Sequence, residues 1–322
     1  MSDYDENDVD EESEAEEQTE YDHEEKTDNE LNQIEPCSLT KDMIAQGLSL
    51  LCRTGNGLSH AFVRLDLKNR RLTDILLLSS FVHLRFLDIS SNHLTDLSPL
   101  AALTQLLWLK GDANQIQGFK GQQLGQLPYL QWLSLVSNRL TDMKGLDGPA
   151  LENLNLIGNV IQTVSGLEHH KLTNLVSLEL RGNNLETTDG IYLPNLRRLY
   201  LAQNKINRLE GLEKLERLTT LHLRDNQLET LDGICHSMKS LQYLNLRGNL
   251  VSSQQALQSL MSVAQTLRVL VLAENPLSEK DDYRLSVLSR LPLLDRLDKD
   301  SVSSEERAEA QEFRDSTGQE DY

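Results

Sequence analysis

The side chains of this 322-residue chain that are best equipped for chemistry are aromatic and basic, and they are spaced for binding, not catalysis. Its two tryptophans, Trp108 and Trp132, occupy equivalent places in consecutive, similar stretches, and Phe86 holds that place one stretch earlier. Arg198 and Tyr243 recur there further along the chain. Tyr200 and His222 stand two residues after that place in their own stretches, and Arg181, Arg224 and Arg247 four residues after it. Contiguous exposed aromatics mark interaction sites, and Trp, Tyr and Arg dominate interface hot spots. Two blander arrangements are open: the rings could stack as a ladder that only stiffens the structure, and the arginines could pair locally with Glu179 or Asp225. Signatures of catalysis are missing, with no phosphate loop and no G-x-S-x-G. Thr54-Gly-Asn-Gly57 reads as a turn. His169-His170 lacks Cys or carboxylate ligands at metal spacing and reads as a surface pair. No catalytic residue, cofactor, metal site or small-molecule substrate is expected.

What must position these side chains is a phrase repeated down the chain: leucine, any residue, leucine, two residues, asparagine, one residue, leucine. Leu87-Asp-Ile89-Ser-Ser-Asn92-His-Leu94 is one copy, and others run from Leu133, Leu154, Leu178, Leu199, Leu221, Leu244 and Leu270. Leu109 to Ile116 is looser, with Gly111 in a leucine slot, and the first copy has Arg70 where the asparagine belongs. The asparagine position falls at 70, 92, 114, 138, 159, 183, 204, 226, 249 and 275. A period in the low twenties with this wording is the signature of leucine-rich repeats. Leucines two apart share one face of a strand. One strand cannot bury that face alone, so about ten coils stack in parallel and make the leucine columns a continuous core. The fold class is an α/β solenoid, a horseshoe with short parallel strands on its concave face and helical caps at both ends. Each asparagine amide can satisfy main-chain groups of the neighbouring coil, so losing one should cost about 1–3 kcal/mol. Gly-aliphatic pairs such as Gly145-Leu146 and Gly211-Leu212 leave room for little more than a 3₁₀ turn on the convex side.

Charge divides the chain. The first 36 residues hold 17 Asp and Glu against Lys26, a net of −16 out of −19, so the repeats are nearly neutral. A block this poor in apolar residues should be disordered, serving as a solvating tail or as an electrostatic arm for a basic partner. Its sign disfavours direct nucleic-acid binding, and no run approaches the 18 apolar residues of a membrane span. Cys37, Cys52 and Cys235 form neither a disulfide framework nor a zinc site. None of the 21 asparagines begins an N-x-S/T acceptor, and the start is acidic where a secretory leader is basic and then apolar. A reducing, intracellular location is expected.

The expected layout is a disordered acidic tail over 1–36, an N-terminal helical cap over 37–60, repeats over 61–278, a C-terminal cap over 279–300, and a charged tail over 301–322, partly helical or disordered. Residues 38–53 read as the core of the N-terminal cap, where Thr40 is placed to cap a helix and Leu39, Met43, Ile44, Leu48 and Leu51 follow helical spacing along one face.

Tyr283-Arg284, Leu291-Pro-Leu-Leu294, Leu297-Asp298 and Glu306-Arg307 resemble the C-terminal cap of intracellular Sds22-like leucine-rich repeat proteins. Several longer segments resemble the leucine-rich repeat-containing protein twenty-three family, among them 41–57, Leu106-Leu-Trp-Leu-Lys110, Leu199-Tyr-Leu-Ala-Gln-Asn204, 218–227 and 238–249. The likeness covers roughly residues 37–310. It implies a non-enzymatic scaffold, monomeric within a larger assembly, whose protein partners are other radial-spoke subunits. The place it implies is the cytoplasm and cytoskeleton, in the axoneme of motile cilia and sperm flagella, where such a protein helps build the third spoke head. The alternative is an Sds22-like regulatory subunit gripping a phosphatase or another signalling enzyme.

Overall fold

The computed structural model of the chain describes residues 34–55, 57–164 and 166–317. The acidic segment therefore lies outside the described residues except for its last three.

Thirteen strands form one sheet in chain order. After β1 (Leu48–Arg53) come β2 (His60–Asp66), β3 (Phe86–Asp88), β4 (Trp108–Lys110), β5 (Trp132–Ser134), β6 (Asn153–Asn155), β7 (Ser177–Glu179), β8 (Arg198–Tyr200), β9 (Thr220–His222), β10 (Tyr243–Asn245), β11 (Val269–Val271), β12 (Arg296–Leu297) and β13 (Asp300–Ser301). From β2 to β12 every neighbour is parallel, and the register runs straight across: Phe86 pairs Trp108, Trp108 pairs Trp132, Ser177 pairs Arg198 and Thr220 pairs Tyr243. The central leucine of each three-residue strand from β3 to β11, such as Leu87, Leu109, Leu133 and Leu199, is buried against the next coil. The return side carries short 3₁₀ turns, at Leu76–Ser80, Ser98–Ala102 and Leu212–Lys214 among others, with a four-residue α-helical turn at Leu257–Leu260.

The asparagines hold the coils together from inside. Asn92, 3% exposed, accepts from the Arg70 and Leu72 amides at 3.0 and 2.9 Å, while its side-chain amide donates to the Leu67 carbonyl of the preceding coil at 3.0 Å. Asn183 repeats the pattern, bonding the Ile161 amide and the Leu156 carbonyl at 3.0 Å each. These are backbone groups that a buried turn would otherwise strand. The residue just before each asparagine position is left-handed in all ten coils, and seven of the ten are not glycine, including Ala113 (φ 51°) and Ser137 (φ 53°). The 24-residue coil that contains Phe119 is built for its extra length. Phe119 is buried, and Gln122 accepts from the Leu97 amide at 2.5 Å and donates to the Thr95 carbonyl at 3.3 Å.

The first end of the sheet differs from the helical cap expected over 38–53. Thr40 does cap a helix, accepting from the Met43 amide at 3.3 Å, but that helix spans only Lys41–Gly47. The chain then turns into β1, which pairs antiparallel with β2. Leucine spacing alone reads as helix here, but the outer edge of β2 leaves unpaired amides and carbonyls that an added strand satisfies. Gly47 permits the switch, since a Cβ there would lie 2.1 Å from the Asp66 carbonyl oxygen.

The far end mirrors this. A helix at Tyr283–Arg290 precedes β12, and Asp298 turns the chain into β13, which runs antiparallel to β12. The Asp298 carboxylate accepts from the Leu272 and Ala273 amides at 2.7 Å each and from the buried Tyr283 hydroxyl at 2.9 Å. Burial, reinforced by Asp298, pushes the Tyr283 phenol well above its ordinary range. A last helix, Ser304–Thr317, extends past the expected fraying point near 310 and buries Ala310. It is fixed by a fork in which Arg284 grips Glu306 at 2.5 and 3.2 Å, and by a capping box between Ser303 and Glu306.

Candidate functional site

Because the parallel register is unbroken, residues at matching places in successive strands form rows on the concave face, about 4.8 Å apart. Phe86, Trp108 and Trp132 lie on one row with Arg198 and Tyr243; Tyr200 and His222 lie on the next; Arg181, Arg224 and Arg247 follow each strand. All ten expected residues therefore share one face. The structure groups them differently from the sequence expectation, in two respects.

The first concerns the rings. Trp108 and Trp132 are half-buried and stack at 4.6 Å between centroids, only 8° from parallel. Phe86 is paired in register with Trp108, yet its ring does not join the stack. A second ladder stands further along the face, beside the arginines: Tyr200 and His222 lie 5.6 Å apart, and His222 stacks on Tyr243 at 5.2 Å and 15°. His222 and Tyr243 sit on different rows, so the contact is diagonal. Reading single columns hides it.

The second concerns charge. The part of the face that holds the tryptophans also carries Asp66, Asp88 and Asp112. Lys68 lies 3.6 Å from both Asp66 and Asp88, and Lys110 lies 3.4 Å from Asp112. Asp112 accepts from the Ser134 hydroxyl at 2.5 Å and from the Val136 amide at 2.9 Å, tying two coils together on the open face. Acids four and two places before the asparagine position were the signal available in the sequence.

The arginines are held in place. Arg224 pairs with Asp225 at 3.2 Å, as one sequence reading expected; Arg247 pairs with Glu274 at 2.6 Å, and its guanidinium holds that carboxyl below its ordinary range. Arg181 donates to Gln203 at 3.1 Å, not to Glu179, whose carboxylate takes the Arg181 main-chain amide at 3.3 Å. Arg198 is exposed and has no side-chain partner among the described residues. Guanidiniums pinned beside rings lose little side-chain freedom when a partner covers them, which favours association.

His169 and His170 meet edge to face at 5.8 Å on a convex 3₁₀ turn, with His170 3.4 Å from Glu168. Among the described residues no group of three His, Cys, Asp or Glu side chains could hold a metal ion, and no helix is long and apolar enough to cross a membrane.

Comparison with known proteins agrees on the architecture. A leucine-rich repeat family model matches residues 174–321, and a second matches residues 83–103. A solved leucine-rich repeat protein of Leptospira interrogans superposes with a TM-score of 0.52 at 24% identity, covering 74% of this chain and 72% of its own, a likeness of fold alone. Leucine-rich repeat-containing protein 23 of Bos taurus is 51% identical over 276 residues, covering 86% of this chain and 80% of that protein. Its Homo sapiens counterpart is 51% identical over 279 residues, covering 87% and 80%. With half of its residues shared over most of both lengths, the chain belongs to the leucine-rich repeat-containing protein 23 family.

Proposed function

We propose that this chain is a non-enzymatic scaffold of the axoneme. On this reading it docks another radial-spoke subunit on its concave face and so supports assembly of the third spoke head and the beating of cilia and sperm flagella. The observation that carries the docking is the half-buried Trp108–Trp132 stack, two large rings kept on an open face above a core that is already filled. The placement in the axoneme rests on the family likeness, and the protein is taken to act as one copy within a larger assembly.

Cross-linking mass spectrometry on isolated axonemes tests both parts. The expected result is cross-links from Lys68 and Lys110, which border the tryptophan stack, to a spoke subunit. Recovery of the protein wholly in the soluble fraction of ciliated cells would sink the axonemal placement. Co-elution of phosphatase activity that is lost on Trp132→Ala would point instead to an Sds22-like regulatory subunit.

A further inference from the structure

The hairpin of β1 and β2 reaches past the ends of the neighbouring strands. β2 has seven residues where the next strands have three, so its first half overhangs the rim of the solenoid. Beneath the overhang lies a cleft of about 360 Å³, within the size range of small-ligand sites. Ala61, Val63 and Val82 give it an apolar patch, with Val63 buried and Val82 exposed. Arg53, His83 and Arg85 line it, and Thr104 and Gln105 add a hydroxyl and an amide. Among the described residues no carboxylate lines the cleft. None of the three basic side chains has a partner among the described residues, whereas the arginines of the concave face are mostly paired.

The backbone beneath these groups is firm. Arg53 pairs with His60 across the hairpin, and the Arg85 amide donates to the Val63 carbonyl at 2.8 Å. The Arg85 carbonyl in turn accepts from the Leu107 and Trp108 amides at 2.9 and 3.0 Å. Thr54 and Gly55 add to the lining, with the Thr54 amide bonded to the Ser59 carbonyl at 2.8 Å. Two guanidiniums and an imidazole lining one cleft beside an apolar patch, with no carboxylate among the described lining residues, match a group that accepts several charge-assisted hydrogen bonds at once.

We propose that this cleft binds a phosphate group, carried by a small molecule or by a phosphorylated side chain. The site is independent of the concave face. Cys52 lines the same cleft and supplies a reporter, because an occupied site shields its thiol.

The experiment uses the full-length chain and follows iodoacetamide alkylation of each cysteine by peptide mass spectrometry, with Cys235 as internal reference. Inorganic phosphate, a phosphoserine hexapeptide and the unphosphorylated hexapeptide are the probes. Phosphate and phosphopeptide should slow alkylation of Cys52 selectively, and the unmodified peptide should not. A phosphopeptide acting at much lower concentration than inorganic phosphate identifies a modified side chain as the source; equal potency identifies a free phosphate group. Arg53→Gln with Arg85→Gln should raise the half-protecting concentration at least tenfold, while the convex-side Arg208→Gln leaves it unchanged. Phosphorus NMR line-broadening of inorganic phosphate should be lost in the same double variant and provides a second readout. Protection that is absent, that survives the double variant, or that extends equally to Cys235 would overturn the proposal.

Discussion

Trp108 and Trp132 stack on the open face, whereas the asparagines sit inside with every polar atom engaged, and the two kinds of residue should answer differently to truncation. Removing the Trp132 ring loses a stacked contact, so Trp132→Ala should cost about 1 kcal/mol of stability while weakening partner retention by about 2 kcal/mol, roughly thirtyfold. Asn183→Ala orphans the Ile161 amide and the Leu156 carbonyl inside the stack and should cost about 1–3 kcal/mol for each group left unsatisfied. Denaturant unfolding of the two variants compares them directly. A Trp132→Ala loss as large as that of Asn183→Ala would make the ladder a packing element and remove the main support for docking. The asparagines and leucines were legible in the sequence because each acts at a fixed offset within its own coil. The pairing of His222 with Tyr243 was not, since a diagonal contact joins residues 21 positions apart on different rows.

At the scale of elements, the repeats followed from their period, while the ends did not. Leu48 to Arg53 carries apolar residues at helical spacing and still forms a strand, because the edge of β2 requires partners that no local pattern reveals. The left-handed residue before each asparagine was equally hidden, since seven of ten such positions are not glycine. The final helix, Ser304–Thr317, is anchored in part by the Arg284–Glu306 ion pair, whose pH behaviour can be worked out. The Arg284 guanidinium, helped by the Ser303 amide, pulls the Glu306 carboxyl from its ordinary 4.5 down to about 2. A lowered folded-state value means that the pair stabilises fully above about pH 4.5, and its contribution is lost as pH falls toward 2. Hydrogen exchange over 304–317, corrected for intrinsic rates, should therefore show the helix loosening across that window. Glu306→Gln should loosen it already at neutral pH and flatten the acid response. An unchanged acid response in that variant would show that another contact holds the helix.

For the whole molecule, stability is a sum of similar interfaces between neighbouring coils. Deleting one full coil, residues 205–226, joins Asn204 to Gln227 in the correct phase of the repeat and should leave a folded solenoid. It also removes His222 and shortens the face by about 4.8 Å, so far-UV circular dichroism should keep its shape while partner binding falls. Loss of all folded signal would mean that the coils are not interchangeable units. Both ends of the sheet also finish in a strand that runs against the rest, β1 at one end and β13 at the other. A stack of parallel coils left open would offer each copy a template for the next, and head-to-tail growth of that kind produces filaments. Reversed terminal strands present the wrong hydrogen-bond pattern for another parallel coil, so this pairing disfavours end-to-end growth of the stack.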